Sequence, residues 1–273
     1  MIQHIITPSD KQQWRQKIKS NARFYTYLYL LVLAVSFCIS ILPFKLKWVS
    51  SASIEPREAV VRIETNGGMG SGFLVTPYYI LTARHVVEEL VFGSEVGISF
   101  LQAKIPFETT AKVVYYDKYD YSRFSASVTP QLSDYLEYFE GDVALLQLDE
   151  EVRQISPLQL GNSDELKTGN VLVMGYGLDD WSEPEGRITS DSFHENNRMY
   201  KLDASINQGH SGGPVMLVEN DQPTKVVGIV VGDFSTIFTE VSGRLVRGES
   251  VALKINHAEQ VLSAGGYSEI RYQ

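Results

Sequence analysis

The sequence predicts an all-β domain, either a sandwich or a barrel, from about residue 58 onward. About ten short runs rich in Val, Ile and Leu follow one another, and Gly, Pro, Asn and Asp residues separate them. No internal repeat with a period of roughly 20–50 residues is visible. Only the segment 257–264 near the end indicates a helix, which Asn256 would cap and Gly265-Gly266 would end.

The individual strand predictions follow from these apolar runs, each bounded by turn residues. They cover 59–65, 72–83, 95–101, 111–117, 142–149, 170–177, 198–205, 214–218, 225–232 and 250–256. Two stretches, 115–141 and 178–197, break this rhythm and are too long for ordinary hairpin connections, which predicts functional loops or insertions. The first contains six of the fifteen tyrosines, which either pack beneath their own loop or form a surface for a partner or substrate.

Composition excludes several classes of protein. Of 273 residues, 44% are hydrophobic and 21% are charged, as in ordinary globular proteins. The net charge is −9, but residues 1–47 carry seven basic residues and one acid, so the remainder carries −15. Such an acidic domain repels phosphate, which argues against nucleic acid as its partner. The single cysteine, Cys38, excludes an intrachain disulfide and a cysteine-rich metal site.

A distinct N-terminal segment precedes the β-rich part. Residues 24–44 form a run of 21 positions without a charge, long enough for a helix of roughly 30 Å, the thickness of the hydrocarbon layer. The heavier basic flank lies on the N-terminal side, which favours a cytoplasmic N-terminus. We expect a cytoplasmic segment (1–23), an uncleaved transmembrane anchor (24–44) and a juxtamembrane linker (45–57). A cleavable signal peptide and a buried core helix are the alternative interpretations.

The segment 208–215, QGHSGGPV, carries the strongest chemical signal. A serine hydroxyl needs a base to become nucleophilic, and its attack on a carbonyl creates an oxyanion that needs hydrogen-bond donors. A glycine just before the serine allows the main chain to turn, so the N–H groups of Gly209 and Ser211 could form such a donor pair. The alternative for this motif alone is an ordinary Gly-Ser turn.

Two further residues supply what the serine needs. His85 follows the apolar run 80–83, and Asp142 heads the apolar run 143–148. Each has an ordinary structural explanation by itself, a satisfied core histidine or an aspartate that caps a turn. The rival acids Asp117, Asp120 and Asp134 head no apolar strand. The rival histidines are His4, His194, His210 and His257, and none has the sequence context of His85.

Together these blocks resemble the chymotrypsin-like serine proteases, and most of all their bacterial HtrA (Deg) branch. The similar segments are GSGFLV, LTARHVV, GDVALLQL, DASINQGHSGGPV and SVALKIN, which together span about residues 58–265. The resemblance implies two six-stranded antiparallel β-barrels (the chymotrypsin-like fold), a C-terminal helix and a barrel boundary near 150–165. With the anchor in front, the protease domain would occupy residues 58–273.

The roles of the site residues are implied by this resemblance. Ser211 would attack the scissile carbonyl, His85 would transfer the proton, and Asp142 would orient the imidazole. In the family, residues before the serine and a following strand line the specificity pocket. The matching positions here are Ser205, Ile206, Asn207, Val230, Val231 and Gly232.

The departures from the family pattern refine these expectations. Ser205 stands where trypsin-like relatives carry the acid that selects Lys or Arg, so we expect cleavage after a small or medium apolar residue. The alternative is that Ile206 and Val230 only pack the second barrel. His210 stands where secreted digestive relatives carry the aspartate used in zymogen activation, so that activation mode is not expected. Only a few residues follow the terminal helix, so we expect no PDZ module in this polypeptide, although the HtrA branch usually carries one.

The sequence therefore predicts a membrane-anchored serine endopeptidase acting on polypeptides through an acyl-enzyme. We expect it in a bacterial inner membrane as a single-pass protein, with the protease domain in the periplasm or outside. No cofactor, no metal and no nucleic acid is expected, and a homo-oligomer is left open. The alternative from another class is a protease-fold binding or scaffold protein with a collapsed oxyanion hole.

Overall fold

The computed structural model describes residues 55–120, 132–191, 197–233 and 249–271. The predicted cytoplasmic segment and anchor, and most of the predicted linker, lie outside these residues. The first element of the described residues is a 3-10 turn at Pro56–Ala59, which begins two residues before the predicted domain start. Within the described ranges, no helix combines the length and apolar character needed to cross a bilayer.

The first half of the described chain forms a closed antiparallel barrel of six strands. Around the barrel the order is β1-β2-β3-β6-β5-β4. Leu145 and Leu146 of β6 are buried in its core, as are Ile63 of β1 and Phe73 of β2. The strands are β1 (Val60–Thr65), β2 (Gly68–Thr76), β3 (Tyr79–Thr82), β4 (Glu95–Phe100), β5 (Phe107–Tyr116) and β6 (Ala144–Leu148).

The second half forms another closed six-stranded barrel, in the order β10-β11-β14-β13-β12-β7. The hairpin β8–β9 forms a separate two-stranded sheet. The two barrels and the C-terminal helix confirm the predicted fold class of the protease domain. The elements are β7 (Asn170–Val173), β8 (Gly175–Gly177), β9 (Asp180–Ser182), β10 (Glu185–Ser190), β11 (Met199–Leu202), β12 (Pro214–Glu219), β13 (Gln222–Asp233) and β14 (Ser250–Lys254).

The interpretation of 178–197 as a loop is wrong for much of its length. Strand β9 and barrel strand β10 both lie in it, and β10 pairs with β7 and β11. The apolar signal was weak because only Ile188 of β10 is buried, while its neighbours are polar and wholly or partly exposed. The hydrogen-bonded partners on both sides, β7 and β11, rather than its own composition, make this segment a strand.

The stretch 115–141 also contains regular structure that the sequence analysis missed. Helix α1 spans Leu132–Glu140, although only the end of the chain was expected to be helical. Tyr135, Tyr138 and Phe139 recur at helical spacing, a signal that could have predicted it. This helix ends two residues before Asp142, so the inserted segment leads directly into the candidate site.

The C-terminal helix α2 spans Ile255–Ala264 and starts two residues earlier than predicted. Asn256 is not its cap, because it is the second helical residue and Lys254 precedes the helix. Instead, the Asn256 side chain accepts hydrogen bonds from the N–H and the hydroxyl of Ser163, at 2.8 and 2.9 Å. The predicted end is confirmed: Gly265 is the C-cap, and Gly266 has a φ of +98°.

Asn256 therefore fastens α2 to the segment that connects the two barrels. Both Asn256 and Ser163 are buried, and Asn256 Nδ2 also donates to Asn162 and Asp164 at 3.2 Å each. Replacing Asn256 by Ala would leave the Ser163 donors buried without an acceptor.

We expect Asn256→Ala to lower the free energy of unfolding by about 1–3 kcal/mol. For a domain of this size, that corresponds to a fall in Tm of roughly 2–10 °C. Calorimetry or urea unfolding of the variant measures the loss. Ser263→Ala, on the exposed face of the same helix, is the control and should change stability little. Equal stability of the two variants would contradict this assignment.

Candidate active site

His85 and Asp142 are joined by two hydrogen bonds. His85 lies in the 3-10 turn Arg84–Val86, which follows β3, and Asp142 lies just before β6. The His85 main-chain N–H donates to Asp142 Oδ1 at 2.9 Å, and His85 Nδ1 lies 2.7 Å from Asp142 Oδ2. Because a carboxylate only accepts, Nδ1 carries the proton and Nε2 is left as the basic nitrogen.

Burial and charge act on this pair in opposite directions. The Asp142 side chain is fully buried, whereas a quarter of the His85 side chain is exposed. Burial would lower the pKa of His85, but the charge of Asp142 and its hydrogen bond raise it, and Glu88 adds to the rise. Arg84 opposes the increase. The result is a His85 pKa above the 6.5 of a free imidazole.

Ser211 lies in a turn whose main chain depends on glycine. The His210 N–H donates to the Asn207 carbonyl at 3.1 Å, which closes a four-residue turn, and Gly209 has a φ of +100° at its third position. A positive φ at this position is the signature of a type II turn. A side chain at Gly209 would also collide with the Tyr176 carbonyl. Gly212, directly after the serine, has a φ of +82°.

The turn leaves two donors available next to the serine. The Leu178 N–H donates to the Gln208 carbonyl at 2.8 Å, and in a planar trans peptide the Gly209 N–H points the opposite way. In the described part of the chain, neither the Gly209 N–H nor the Ser211 N–H donates to a protein acceptor. The Ser211 hydroxyl likewise has no hydrogen-bond partner among these residues. An oxygen atom of a ligand could therefore accept hydrogen bonds from the Gly209 and Ser211 N–H groups.

Ser71 ties this turn to the first barrel. Its N–H donates to the Ser211 carbonyl at 2.8 Å, and its hydroxyl donates to the Gly209 carbonyl at 2.7 Å. The Ser71 carbonyl in turn accepts from the Thr82 hydroxyl at 2.7 Å, at the end of β3. Thr82 is three residues before His85, so this chain of bonds brings the serine turn to the histidine. The sequence analysis assigned no role to Ser71.

The alternative acids and histidines have other surroundings. In the described residues, the carboxylate bonded to the His85 ring is that of Asp142, and not that of Asp117, Asp120 or Asp134. The ring of His257, on α2, lies 2.9 Å from the Glu140 carbonyl. His4 and His194 are outside the described residues. Nowhere in the described ranges do three or more His, Cys, Asp or Glu side chains come together as metal ligands.

The six positions expected to line the specificity pocket separate into two groups. Ser205 and Asn207 are exposed, and Ile206 is half-buried against the core of the second barrel. Val230 and Val231 are fully buried in the core, so only their main chain is available to a substrate. The Val230 carbonyl accepts from the Gly212 N–H at 2.8 Å, which places this strand beside the serine turn.

The ring of Phe139, in α1, lies next to Gly232 near the C-terminal end of strand β13. The sequence analysis did not predict this contact. A side chain placed on Gly232 would lie 3.0 Å from the Phe139 ring. Phe139 is buried, and the helix that carries it belongs to the tyrosine-rich segment. The segment 115–141 therefore contributes directly to the surface next to the candidate site.

Arg84 attaches the same segment to the histidine turn. Its side chain is 2% exposed and lies over the rings of Tyr119 and Tyr138, at 5.3 and 4.6 Å from their centroids. It donates to the Tyr138 carbonyl at 2.7 Å and to Glu88 at 3.2 Å. A longer contact of 3.4 Å reaches the carbonyl of Gly141, the residue before Asp142. The tyrosines described here thus pack against the domain.

Comparisons with known proteins identify the family that this chain resembles. The model of the trypsin-like peptidase domain family matches residues 70–229, more than half of the chain. A probable periplasmic serine endoprotease, DegP-like, from Pseudomonas savastanoi is 30% identical over 201 residues, covering 71% of this chain and 34% of that protein. The chloroplastic Protease Do-like 5 of Arabidopsis thaliana is 26% identical over 218 residues, covering 71% and 56%. The chain thus spans about a third of the length of the DegP-like relatives.

Two solved structures share the fold. Rv3671c from M. tuberculosis, in an inactive form, has a TM-score of 0.54 and 20% identity, covering 81% of this chain and 95% of that chain. The serine endoprotease from Yersinia pestis has a TM-score of 0.51 and 19% identity, covering 77% and 63%. At these identities the likeness concerns the arrangement of the two barrels.

The charges around His85 lead to a test by titration. We expect the ring of His85 to titrate above 6.5, and Glu88→Gln to lower its pKa because one of the negative charges that raise it is removed. NMR of the histidine ring protons as a function of pH measures both values.

Tyr138→Phe is the matched control for this titration. It removes the 2.8 Å hydrogen bond from the Tyr138 hydroxyl to Glu88 but keeps the charge of Glu88. The pKa of His85 should therefore stay near the wild-type value. A larger shift in Tyr138→Phe than in Glu88→Gln would show that the charge of Glu88 is not the cause.

Proposed function

We propose that this chain, which belongs to the trypsin-like peptidase family, is a membrane-anchored serine endopeptidase. The observation that carries the proposal is the double hydrogen bond between His85 and the buried Asp142, next to a serine turn with two available N–H donors. This arrangement supplies a base, a group that orients it, a nucleophile and a binding site for developing negative charge.

The first half of the reaction transfers the acyl group to the enzyme. His85 Nε2 accepts the proton of the Ser211 hydroxyl while Ser211 Oγ attacks the carbonyl carbon of the substrate. The electron pair of the carbonyl moves onto its oxygen, which the N–H groups of Gly209 and Ser211 stabilise. When the tetrahedral intermediate collapses, the C–N bond breaks and the protonated His85 gives its proton to the leaving amine.

The second half repeats these steps with water. His85 accepts a proton from water, the resulting hydroxide attacks the acyl-enzyme, and Ser211 leaves with the proton that His85 returns. Asp142 remains a carboxylate throughout and stabilises the imidazolium. A protonated His85 cannot start either half, so kcat/KM should fall as the pH drops through the raised pKa of His85.

The specificity proposal is cleavage after small or medium apolar residues. It is supported by Ser205, an exposed neutral residue in place of the acid that selects Lys or Arg in trypsin-like relatives. Ile206 offers a half-buried apolar surface on the same segment. The main chain of Val230-Val231-Gly232 would pair with an extended substrate, as an added strand does in a sheet.

The location proposal is a bacterial inner membrane, with residues 24–44 as anchor and the protease domain on the periplasmic or outer side. Its support is the uncharged run with a heavier basic flank at its N-terminal side. The Pseudomonas relatives are described as probable periplasmic enzymes, which agrees with that side of the membrane. Polypeptides are the proposed substrates.

The first test of the function is Ser211→Ala. Removal of the hydroxyl leaves no nucleophile, so we expect kcat for peptide hydrolysis to fall by about 10⁶-fold, as in other triad enzymes. The variant should also lose labelling by a fluorophosphonate, which reacts with activated serines. Labelling and casein or peptide hydrolysis by the purified full chain are the measurements.

Ser263→Ala is the control, because it removes a serine hydroxyl from the exposed face of α2. It should keep both activity and labelling. A wild-type protein that neither hydrolyses peptides nor reacts with the probe would contradict the enzyme and favour a binding or scaffold protein with a collapsed oxyanion hole.

The second test concerns specificity. Profiling of the wild-type enzyme with a peptide library should show cleavage after small or medium apolar residues. Ser205→Asp should shift the preference towards Lys and Arg by at least about tenfold, because a carboxylate in the pocket pairs with a cationic side chain.

Ser205→Asn is the matched variant, since it has nearly the same shape as Ser205→Asp but no charge. It should not acquire a preference for Lys or Arg. Strict Lys or Arg specificity in the wild type, or no difference between the two variants, would show that Ser205 is not in the pocket.

A further inference from the structure

His210 is a buried imidazole that the proposed mechanism does not use. It directly precedes Ser211, its side chain has no exposed surface, and it lies against Gly177 of β8 so closely that a side chain there would collide with the ring. Burial lowers its pKa, so the ring is neutral near pH 7. A neutral buried imidazole needs a hydrogen-bond partner at each nitrogen.

Both partners are present, and they belong to two different elements. Ser182 Oγ, at the end of β9, lies 2.8 Å from His210 Nε2. The Asn207 N–H, in the serine turn itself, lies 3.1 Å from His210 Nδ1. The ring therefore links the hairpin β8–β9 to the turn that carries Ser211.

The same hairpin holds the serine turn at a second point. The Leu178 N–H, at the tip of the hairpin, donates to the Gln208 carbonyl at 2.8 Å. Leu178 and Asp179 have φ values of +53° and +69°, as a type I′ turn requires, although Asn and Gly are the residues that favour it. A leucine in this conformation costs roughly 1–2 kcal/mol, so the surrounding contacts hold the tip in place.

These two contacts control the peptide between Gln208 and Gly209. If that peptide rotated by half a turn, the Gln208 carbonyl would replace the Gly209 N–H beside Ser211, so an acceptor would face the oxyanion instead of a donor. The rotation would break the bond from Leu178, and the link from Ser182 to His210 holds the hairpin against the turn. Both contacts thus keep the Gly209 N–H in the orientation of a donor beside Ser211.

We propose that His210 is a positioning residue, which together with Ser182 fixes the hairpin β8–β9 against the serine turn and keeps the Gly209 N–H directed at the oxyanion. This inference rests on the proposed function, because His210 would position a part of that same active site. The group recognised is the anionic oxygen of an acyl-transfer intermediate, and His210 itself does not touch it.

The main test is Ser182→Ala, which removes one half-buried hydroxyl and leaves every proposed catalytic group in place. We expect kcat to fall by about fivefold, which corresponds to the net free energy of one neutral hydrogen bond. KM should change less than about twofold. His210→Ala removes both links, and its kcat should fall by about 10- to 100-fold, short of the full loss of an oxyanion donor.

Two further readouts separate positioning from general structural damage. A peptide aldehyde forms a hemiacetal with the serine, whose oxygen would occupy the same donors, so its affinity should fall in parallel with kcat. The apparent pKa on the acid side of the pH profile of kcat/KM should stay the same, because His85 and Asp142 are unchanged. Ser182→Thr keeps the hydroxyl and should restore kcat to within about twofold of wild type.

The outcomes distinguish this inference from the proposed function. An inactive and unlabelled wild type contradicts the function itself. An active wild type with an unchanged kcat in Ser182→Ala, or a loss that appears only in KM, overturns the role of His210 and leaves the function standing. If His210→Ala does not fold, the comparison of Ser182→Ala with Ser182→Thr still decides, since only Ser182→Thr keeps the hydroxyl.

Discussion

The buried carboxylate of Asp142 imposes the constraint around which the site is built. A charge without exposed surface is costly unless it is paired, and here both oxygens accept hydrogen bonds from His85, one from the main chain and one from the ring. These bonds determine the position of the turn after β3 as well as the tautomer of the ring. The raised pKa of His85 has the same origin, because Asp142 offsets the effect of burial.

The site exists only where the two barrels meet. His85 and Asp142 come from the first barrel and Ser211 from the second, so neither barrel contains all three candidate residues. Ser71 joins them by donating hydrogen bonds to the carbonyls of Gly209 and Ser211 in the serine turn. The hairpin β8–β9 supports the same turn from another side. The serine turn at the boundary between the barrels therefore depends on contacts from β2 and from the hairpin β8–β9.

The tyrosine-rich segment has a structural position that composition alone did not indicate. Arg84 connects it to the histidine turn, and Phe139 of α1 lies against the strand beside the serine turn. Helix α1 ends two residues before Asp142, so the inserted segment leads directly to the buried carboxylate. The tyrosine-rich segment thus packs against the histidine turn and against the strand beside the serine turn.

By itself, the sequence predicted the β-rich class, apolar runs that fall in every described strand except β9 and β10, and three candidate residues for acyl transfer, because apolar periodicity and short glycine-rich motifs are local signals. Strand β10, helix α1 and the role of Asn256 escaped it, since their stability comes from partners far along the chain. Only the tertiary structure decided that Asp142 bonds His85 and that Ser71, Ser182 and His210 hold the serine turn. These contacts join residues from 28 to 138 positions apart, a separation that no local pattern encodes.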